Sequence, residues 1–476
     1  MRTHAVSLSL CMSLLTTLWL TTLWLSGPAL QAAPPAPQRP NILLIVADDL
    51  GWGDVGWHRG FAQTPVMDRL VAEGVELDRH YVQPVCTPTR TALLSGRYPG
   101  RFGPQALAPS NLRALAPGTP TLASGLRSLG YETSLCGKWH LGAKPQWGPN
   151  HYGFDHSYGS LTGAADPWTH LYRANSPYKD TWHRDLNFFQ EQGNATELVA
   201  AEALKQITSG RTDAEGRRAP WFVYVPFHAV HTPVDTPPEY KKLYEGVVFD
   251  ADPARQDSRL RMAAMVSQLD AKIGAFLSAL ETTGQRSNTL IIFTSDNGGT
   301  ESLKNGYEGT VADSPLNSEN APLRGQKNQF YEGGIRVCAF ANWPGVLAPR
   351  KVTAALHAVD WFPTLARLTG YTPPPDIAWD GIDRWDALAG PGPAPRPKPI
   401  YIAKKQGATL IDGSWKLIAP GGRKTSELYD LASDPFETTD LAAQRSDQMA
   451  RLGSLLAQEQ AIDVADLPAD LVGIHD

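Results

Sequence analysis

The sequence predicts an α/β fold built on a largely parallel sheet, followed by a small α+β subdomain. Three continuous apolar runs, at 41–47, 221–227 and 289–293, are typical of strands buried on both faces. Helical patterns lie between these runs, and such alternation favours parallel pairing. With 476 residues, 42% of them hydrophobic, the chain is long enough for one large domain and a smaller one.

The chain begins with a segment that we interpret as a signal peptide, residues 1–33. A basic start precedes an apolar run at 6–25, and small residues at 32–33 offer a cleavage site. The protein is therefore expected to be exported, to a periplasm or to the medium. The apolar run is long, so an uncleaved membrane anchor stays open.

The remaining elements follow in order along the chain. A large domain is predicted at 34–390, and a Pro- and Gly-rich stretch separates it from a subdomain at 391–476. In the large domain, a weaker strand is predicted at 131–135 and helices at 67–73, 121–129 and 260–282. The subdomain is predicted to form strands at 400–403, 408–411 and 415–418, with an antiparallel sheet, and a helix at 446–460.

Polar side chains follow four of the predicted strands. They are Asp48 and Asp49, Lys138 and His140, His228 and His231, and Asp296 and Asn297. Open α/β sheets bind ligands beyond the carboxyl ends of their strands, so we expect these residues at one rim. The carboxylates and the amide form an all-oxygen set that suits a hard cation such as Ca²⁺ or Mg²⁺. Each pair alone could also be an ordinary turn.

Cys86-Thr87-Pro88-Thr89-Arg90 is the most informative stretch of the chain. It opens a predicted short helix at 91–95, closed by Gly96, and Pro88 fits a first helical turn. Cys86 would lie at the positive end of that helix, where anions bind, and Arg90 can reach back along the same face. A nucleophile, an arginine and an anion site suggest chemistry on sulfate or phosphate. A buried structural thiol is the alternative.

This stretch, with Leu94-Ser95-Gly96-Arg97, resembles the motif of the type I sulfatases, a family of the alkaline phosphatase superfamily. The likeness spans residues 40 to about 370, extends into the subdomain, and is greatest for the arylsulfatase B type, which includes N-acetylgalactosamine-4-sulfatase. Further stretches that carry it are 47–54, 137–142, 231–233, 294–299, 323–327 and 331–336.

The resemblance implies the fold of that superfamily, with a large mixed, mostly parallel sheet, and a catalytic domain at 34–390. It implies that a formylglycine-generating enzyme oxidises Cys86 to formylglycine, whose hydrate is the nucleophile. It also implies one Ca²⁺ per chain, for which the ligands would be Asp48, Asp49, modified Cys86, Asp296 and Asn297. The catalytic residues would be Cys86, Arg90, Lys138, His140, His231 and Lys327.

The resemblance also assigns a role to each cationic residue. Lys138 would hold the sulfate and the nucleophile, and His140 would help to expel sulfate in the last step. His231 and Lys327 would contact sulfate, and either could protonate the leaving oxygen. The implied reaction is hydrolysis of sulfate monoesters of sugars or glycosaminoglycans, and of aryl sulfates, by general nucleophilic and electrostatic catalysis.

Two alternative functions stay open on the residues alone. One is a phosphomonoesterase or phosphodiesterase of the same superfamily, although such two-metal sites usually carry Asp-His where this chain has Asp296-Asn297. The other is a silent protein that binds sulfated carbohydrate, if Cys86 is never oxidised. A net charge of -5 without basic blocks argues against nucleic-acid binding.

Several residues have two interpretations at this stage. Cys136 and Cys338 could form a disulfide or remain free thiols. Asn194-Ala195-Thr196 is a glycosylation sequon, and His228 is taken as structural. Four residues could stack on or contact a sugar, or could equally be core or rim: Trp168, His170, Tyr172 and Trp182.

Overall fold

The computed structural model describes residues 39–212, 216, 218–302, 316–375, 377–390, 396–422 and 425–474. The predicted signal peptide at 1–33 lies outside the described residues, as do the first residues of the predicted subdomain, 391–395. None of the helices in the described ranges is both long and apolar enough to span a bilayer.

The strands are short to medium in length and come from the whole described chain. In chain order they are β1 Asn41–Ala47, β2 Val75–Leu77, β3 His80–Tyr81, β4 Glu132–Lys138, β5 His156–Ser160, β6 Trp182–Arg184, β7 Asn187–Phe188, β8 Trp221–Pro226, β9 Thr289–Ser295, β10 Glu301–Ser302, β11 Leu316–Asn317, β12 Ala339–Asn342, β13 Arg350–Val352, β14 Leu356–His357, β15 Ile400–Ala403, β16 Gly407–Asp412, β17 Trp415–Pro420 and β18 Glu427–Asp430.

The α-helices are interleaved with these strands. They are α1 Pro65–Ala72, α2 Cys86–Ser95, α3 Leu122–Ser128, α4 Ala195–Thr208, α5 Pro238–Lys242, α6 Pro253–Thr282, α7 Glu332–Ile335, α8 Trp361–Thr369, α9 Trp385–Ala389 and α10 Ser446–Gln460.

The main sheet has ten strands in the order β13-β2-β12-β9-β1-β8-β4-β5-β6-β7. Its five central strands, β9-β1-β8-β4-β5, are parallel, and β12, β6 and β7 pair in antiparallel fashion toward the two edges. Parallel strands place their carboxyl ends at one rim of the sheet. The predicted α/β fold with a largely parallel sheet is confirmed.

The surroundings of strand β1 explain why its sequence is apolar from Ile42 to Ala47. Its side chains alternate between two hydrophobic cores, one on each face of the sheet. The first core receives Ile42, Leu44 and Val46, and the second receives Leu43, Ile45 and Ala47. Because both faces are covered, no position in the strand can be polar without a partner.

The C-terminal region forms a separate antiparallel sheet, β15-β16-β17-β18, with α10 beside it. The predicted α+β subdomain is therefore confirmed, and β18 is a strand that the sequence interpretation missed. Leu410 and Leu417 of this sheet belong to the same core as one face of β1. In addition, Lys416 Nζ lies 2.8 Å from Glu332 Oε1 and 2.7 Å from Glu437 Oε1, with all three side chains buried.

Three elements extend beyond their predicted bounds. Strand β4 runs to Lys138, so this lysine ends the strand and does not lie beyond it. Helix α2 starts at Cys86 and not at residue 91, and all of its ten residues are buried. In both cases buried polar residues interrupt the apolar pattern on which the prediction relied. Helix α6 starts at Pro253, where Asp252 caps two backbone N–H groups, a signal that the periodicity argument did not use.

Candidate active site

The four predicted strand ends meet at one rim of the main sheet. Asp48 and Asp49 follow β1, and Asp49 takes a left-handed conformation with φ of 63°. Asp296 follows β9, and the Asp49 N–H donates to its Oδ1 at 3.3 Å. His231 lies in the segment after β8, with Nε2 3.8 Å from Asp49 Oδ2. The topology therefore brings together side chains that are far apart in sequence.

Helix α2 presents Cys86 at its first turn, on the same rim. Its N-cap is Val85, whose side chain cannot cap the helix, and Gly96 ends it in a left-handed conformation with φ of 69°. Cys86 is 2% exposed, and burial raises the pKa of its thiol despite the nearby ammonium of Lys138. The unmodified thiol is consequently a poor nucleophile at neutral pH.

Arg90 lies one turn after Cys86 and is completely buried. Its Nε and Nη2 donate to Asp296 Oδ2 at 3.1 and 2.7 Å, and its Nη1 donates to the Lys138 carbonyl at 2.8 Å. Burial would lower the pKa of Arg90, but Asp296 raises it, so the guanidinium stays charged. Arg90 thus joins three segments of the site and leaves Cys86 facing the carboxylates.

Two lysines supply further positive charge. Lys138 Nζ lies 2.6 Å from Asp48 Oδ2, and both side chains are fully buried. Lys327 Nζ lies 2.7 Å from Asp49 Oδ1, and its side chain is 17% exposed. Burial would raise the pKa of Asp49, but Lys327 and then His231 hold it well below its usual value. The centre thus combines carboxylates with three fixed cations.

Asn297 completes an oxygen-rich cluster. Its Nδ2 donates to Asp49 Oδ1 at 2.7 Å, whereas its Oδ1 is buried and lacks a hydrogen-bond partner among the described residues. Asp48 Oδ1 is likewise buried and without a hydrogen-bond partner among the described residues. Ligand atoms of Asp48, Cys86 and Asp296 lie within 4.8 Å of one another. Buried oxygens without partners, in an all-oxygen set, fit a hard cation such as Ca²⁺.

His140 lies beyond β4 in a left-handed conformation, with φ of 54°. Burial, and then the charges of Lys138 and Arg90, hold its pKa well below 6.5, so its ring is neutral. Gly163 lies directly against this ring. A Cβ at Gly163 would be 2.3 Å from His140 Cε1 and Nε2, so any side chain there would require the imidazole to shift. No site residue was assigned at Gly163 from the sequence, because the stretch 159–178 could not be aligned with the substrate-contacting segment of the family.

Two glycine-rich stretches of the sequence contact each other behind the cluster. The Gly298 N–H donates to the Gly334 carbonyl at 3.1 Å, and a Cβ at Gly298 would be 1.8 Å from the Gly333 carbonyl oxygen. The Lys327 N–H donates to the Gly299 carbonyl at 3.1 Å. This close backbone contact sets the position of Lys327 relative to Asn297.

Burial resolves some of the residues that had two interpretations, whereas Trp168 and Tyr172 are half-buried and keep both. Trp182 and His170 are buried and stack on each other with ring centroids 4.4 Å apart, so they are core residues. Cys136 and Cys338 are free buried thiols. The sequon residue Asn194 is 3% exposed and caps α4 by accepting from the Thr196 and Glu197 N–H groups. The folded protein does not expose it for glycosylation.

Comparisons with known proteins agree with this geometry. A sequence model of the sulfatase family matches residues 40–371. Arylsulfatase J of Mus musculus is 30% identical over 506 aligned positions, which cover 92% of this chain and 79% of that protein. N-acetylgalactosamine-6-sulfatase of Rattus norvegicus is 33% identical, over 73% of this chain and 65% of that protein. The structure of Ps i-CgsB in complex with k-i-k-neocarrahexaose superposes with a TM-score of 0.78 at 28% identity, covering 90% of this chain and 94% of that chain.

Proposed function

The chain belongs to the sulfatase family and hydrolyses sulfate monoesters, and we propose that its substrate is a sulfated sugar. Its fold is the alkaline-phosphatase-like fold of that family, as the type I motifs predicted. The observation that carries the assignment of the centre is the position of Cys86, among Arg90, Lys138 and Lys327 and beside an oxygen cluster.

The nucleophile is proposed to be formylglycine made from Cys86, since sulfatases generally depend on this modification. When present, the modification supplies a geminal diol, which can attack sulfur and later release sulfate without a separate water. The structure supports a need for modification because burial raises the pKa of the thiol. Cys86 is 2% exposed, so the modifying enzyme would have to act before the chain has folded.

The cation is proposed to be one Ca²⁺ per chain, held by Asp48, Asp49, Asp296, Asn297 and residue 86. Two of these residues have buried oxygens without hydrogen-bond partners in the described chain, and their donor set is typical of hard cations. When bound, such a cation supplies Lewis acidity toward a sulfate oxygen and favours the ionised nucleophile.

The chain's own side chains are proposed to bind and orient the sulfate. Arg90 fixes Asp296 and the first turn of α2, and Lys138 is positioned by Asp48 to face an anion beside residue 86. His231 and Lys327 both lie near Asp49, and we propose that both face the leaving oxygen of the substrate. Either could supply its proton, and dependence of the rate on leaving-group pKa in the two alanine variants would separate them.

The substrate class rests on the relatives. One relative is an N-acetylgalactosamine-6-sulfatase, and Ps i-CgsB was solved with a neocarrahexaose. The motifs of this chain also resemble those of the arylsulfatase B type, so we propose a sulfated hexosamine or galactose, with aryl sulfates as artificial substrates. We further propose export after removal of residues 1–33, and a division into a catalytic domain, 34–390, and a subdomain, 391–476.

The test is sulfate release from N-acetylgalactosamine 4-sulfate, N-acetylgalactosamine 6-sulfate, galactose sulfates and 4-methylumbelliferyl sulfate. The enzyme should be produced together with a formylglycine-generating enzyme, and the matched control is the Cys86→Ala variant. We expect turnover of at least one sugar sulfate, which the variant loses. Hydrolysis of phosphate monoesters in preference to every sulfate ester would contradict the proposal.

A further inference from the structure

A cavity of about 290 Å³, part of which is open to solvent, adjoins the candidate active site. Its wall includes Asp48 and His231, and beyond them it is formed by small or apolar side chains such as Ala164, Ala195 and Met265. This volume includes open solvent, and the enclosed part has room for about one water-sized group. The enclosed part can therefore receive a single hydroxyl or amide group, and the rest of a bound sugar would lie toward the open side.

His228 also forms part of this wall, and the mechanism above does not use it. Its side chain is buried, with the whole residue 6% exposed. Its Nε2 lies 2.6 Å from Ser160 Oγ, and its ring lies against Trp182 at a centroid distance of 5.7 Å. Its Nδ1 is buried and has no hydrogen-bond partner among the described residues. Leaving such an atom buried without a partner destabilises the fold unless a ligand or water satisfies it.

The contacts of Ser160 fix which kind of partner Nδ1 can take. Ser160 Oγ lies 3.3 Å from the Thr162 carbonyl, which can only accept. Both contacts of the hydroxyl are hydrogen bonds only if it donates to Thr162 and accepts from the His228 Nε2–H. Burial, and then the charge of Lys138, hold the pKa of His228 well below 6.5, so the ring is neutral. Nδ1 is therefore a lone-pair acceptor, and its partner must be a donor.

We propose that His228 Nδ1 accepts a hydrogen bond from a hydroxyl or amide group of the sugar that carries the sulfate. His228 is then a specificity-determining residue, and Ser160 is the positioning residue that sets its tautomer. The inference rests on the proposed function, because the cavity receives a sugar only if the enzyme binds sulfated sugars. An aryl sulfate, which has no such donor, gains nothing from His228.

The position of Ser160 supports this assignment. Ser160 ends β5 and pairs in register with Lys138 at the end of β4. The residue that orients His228 is thus on the strand next to the one that supplies a sulfate-binding lysine. The distance between the sulfate site and the proposed sugar contact is then set by two paired strands and not by loops alone.

The experiment compares two substrates in wild-type enzyme and in His228→Phe, a variant that keeps a flat ring but removes both nitrogens. The substrates are 4-methylumbelliferyl sulfate and whichever N-acetylgalactosamine or galactose sulfate the wild type hydrolyses. We expect kcat/KM to fall about 10- to 100-fold for the sugar sulfate and less than about threefold for the aryl sulfate. Ser160→Ala should show the same preference with a smaller loss, and His151→Phe, at an exposed position, should change neither.

A deoxy analogue of the sugar sulfate, without the contacted hydroxyl, makes the test sharper. Changing the parent sugar for the analogue should lower wild-type kcat/KM about as much as His228→Phe lowers it on the parent sugar. In the His228→Phe variant, changing the parent sugar for the analogue should cause no further loss. If His228→Phe lost kcat/KM equally on the sugar sulfate and the aryl sulfate, His228 would have a structural role and the inference would be overturned. If the variant lost kcat/KM on neither substrate, the partner of Nδ1 would be a bound water, and the inference would again be overturned. Wild-type turnover of the aryl sulfate alone would refute the substrate class and this inference together, whereas turnover of neither ester would refute the proposed function.

Discussion

Arg90 donates two hydrogen bonds to a single oxygen of Asp296, from Nε at 3.1 Å and from Nη2 at 2.7 Å. Both side chains are essentially inaccessible to solvent. The contact links the helix that begins with Cys86 to the segment that follows β9. A buried guanidinium–carboxylate pair of this kind holds geometry more than it adds stability, and breaking it leaves a buried charge without a partner.

Replacing Arg90 with lysine is expected to lower kcat on 4-methylumbelliferyl sulfate by about 10²-fold, since one ammonium cannot reach both Asp296 and the Lys138 carbonyl. Arg90→Ala should also lose about 3–5 kcal/mol of unfolding free energy, measured by urea denaturation. Arg59→Lys, on the surface, is the control and should leave both values unchanged. Near-normal kcat in Arg90→Lys would contradict the positioning role.

Calcium is expected to stabilise the protein independently of turnover. Ca²⁺ at 100 times its Kd should add about 2.7 kcal/mol to the unfolding free energy, and EDTA should remove it. Asn297→Ala should weaken this stabilisation, because it removes a buried oxygen that has no other partner in the described chain. Asn187→Ala is the control, since that residue is exposed in β7. An unfolding temperature that does not change with Ca²⁺ concentration would exclude the cation site.

Gly163→Ala is expected to reduce kcat by about 10²-fold, because its Cβ would displace the His140 ring. The loss should appear in kcat more than in KM if His140 acts on the bound intermediate state and not on substrate capture. Gly453→Ala is the matched control, because a Cβ there has nothing within 4 Å, and this helix position should be neutral or slightly stabilised. Full activity in Gly163→Ala would show that His140 has room to move.

Acid should destabilise the fold through His80. The Trp361 Nε1–H donates to His80 Nε2 at 2.9 Å, and burial lowers the pKa of His80 from 6.5 to about 3. The unfolded chain therefore binds a proton that the folded chain does not, so this contribution is complete above pH 6.5 and is lost as the pH falls toward 3. Between pH 6 and 4, the unfolding free energy should fall by about 1.4 kcal/mol per pH unit more in the wild type than in His80→Gln.

The measurement is urea denaturation at several pH values across that range. His151→Gln, at an exposed position, is the control and should keep the wild-type slope. Parallel slopes in the wild type and His80→Gln would mean that His80 is protonated in the folded protein.

The C-terminal sheet is expected to depend on Lys416. Its ammonium lies between Glu332 and Glu437, and all three side chains are buried. Lys416→Met leaves two buried carboxylates facing each other and should cost about 3–5 kcal/mol. Lys405→Met, on the surface of the same subdomain, should cost less than about 0.5 kcal/mol. Equal stability of the two variants by urea denaturation would contradict this account.

The sequence predicted the parts of the fold that have a strong local pattern. Strand β1 is apolar from Ile42 to Ala47 because both its faces are covered, and the residues after β1, β8 and β9 were correctly expected at one rim. The bounds of β4 and α2 were wrong because both contain polar residues that only distant partners satisfy. Lys138, for example, is buried because Asp48 is 90 positions away in sequence but 2.6 Å away in space.

The site residues that the sequence interpretation missed depend on register and shape. Ser160 is important because it pairs with Lys138 across β4 and β5, and no motif records that pairing. Gly163 contributes by having no side chain, since a Cβ at this position would lie against the His140 ring. His228 was taken as structural because a lone histidine usually is, and only its unpartnered nitrogen beside a cavity suggests otherwise.

The measurement that tests the account most directly is the mass of the tryptic peptide His80–Arg90, from protein isolated from its own source and active on a sulfate ester. The account predicts loss of H₂S and gain of one oxygen relative to cysteine, which is the mass of formylglycine at position 86. An unmodified Cys86 thiol in a preparation that still hydrolyses the ester at full rate would contradict it.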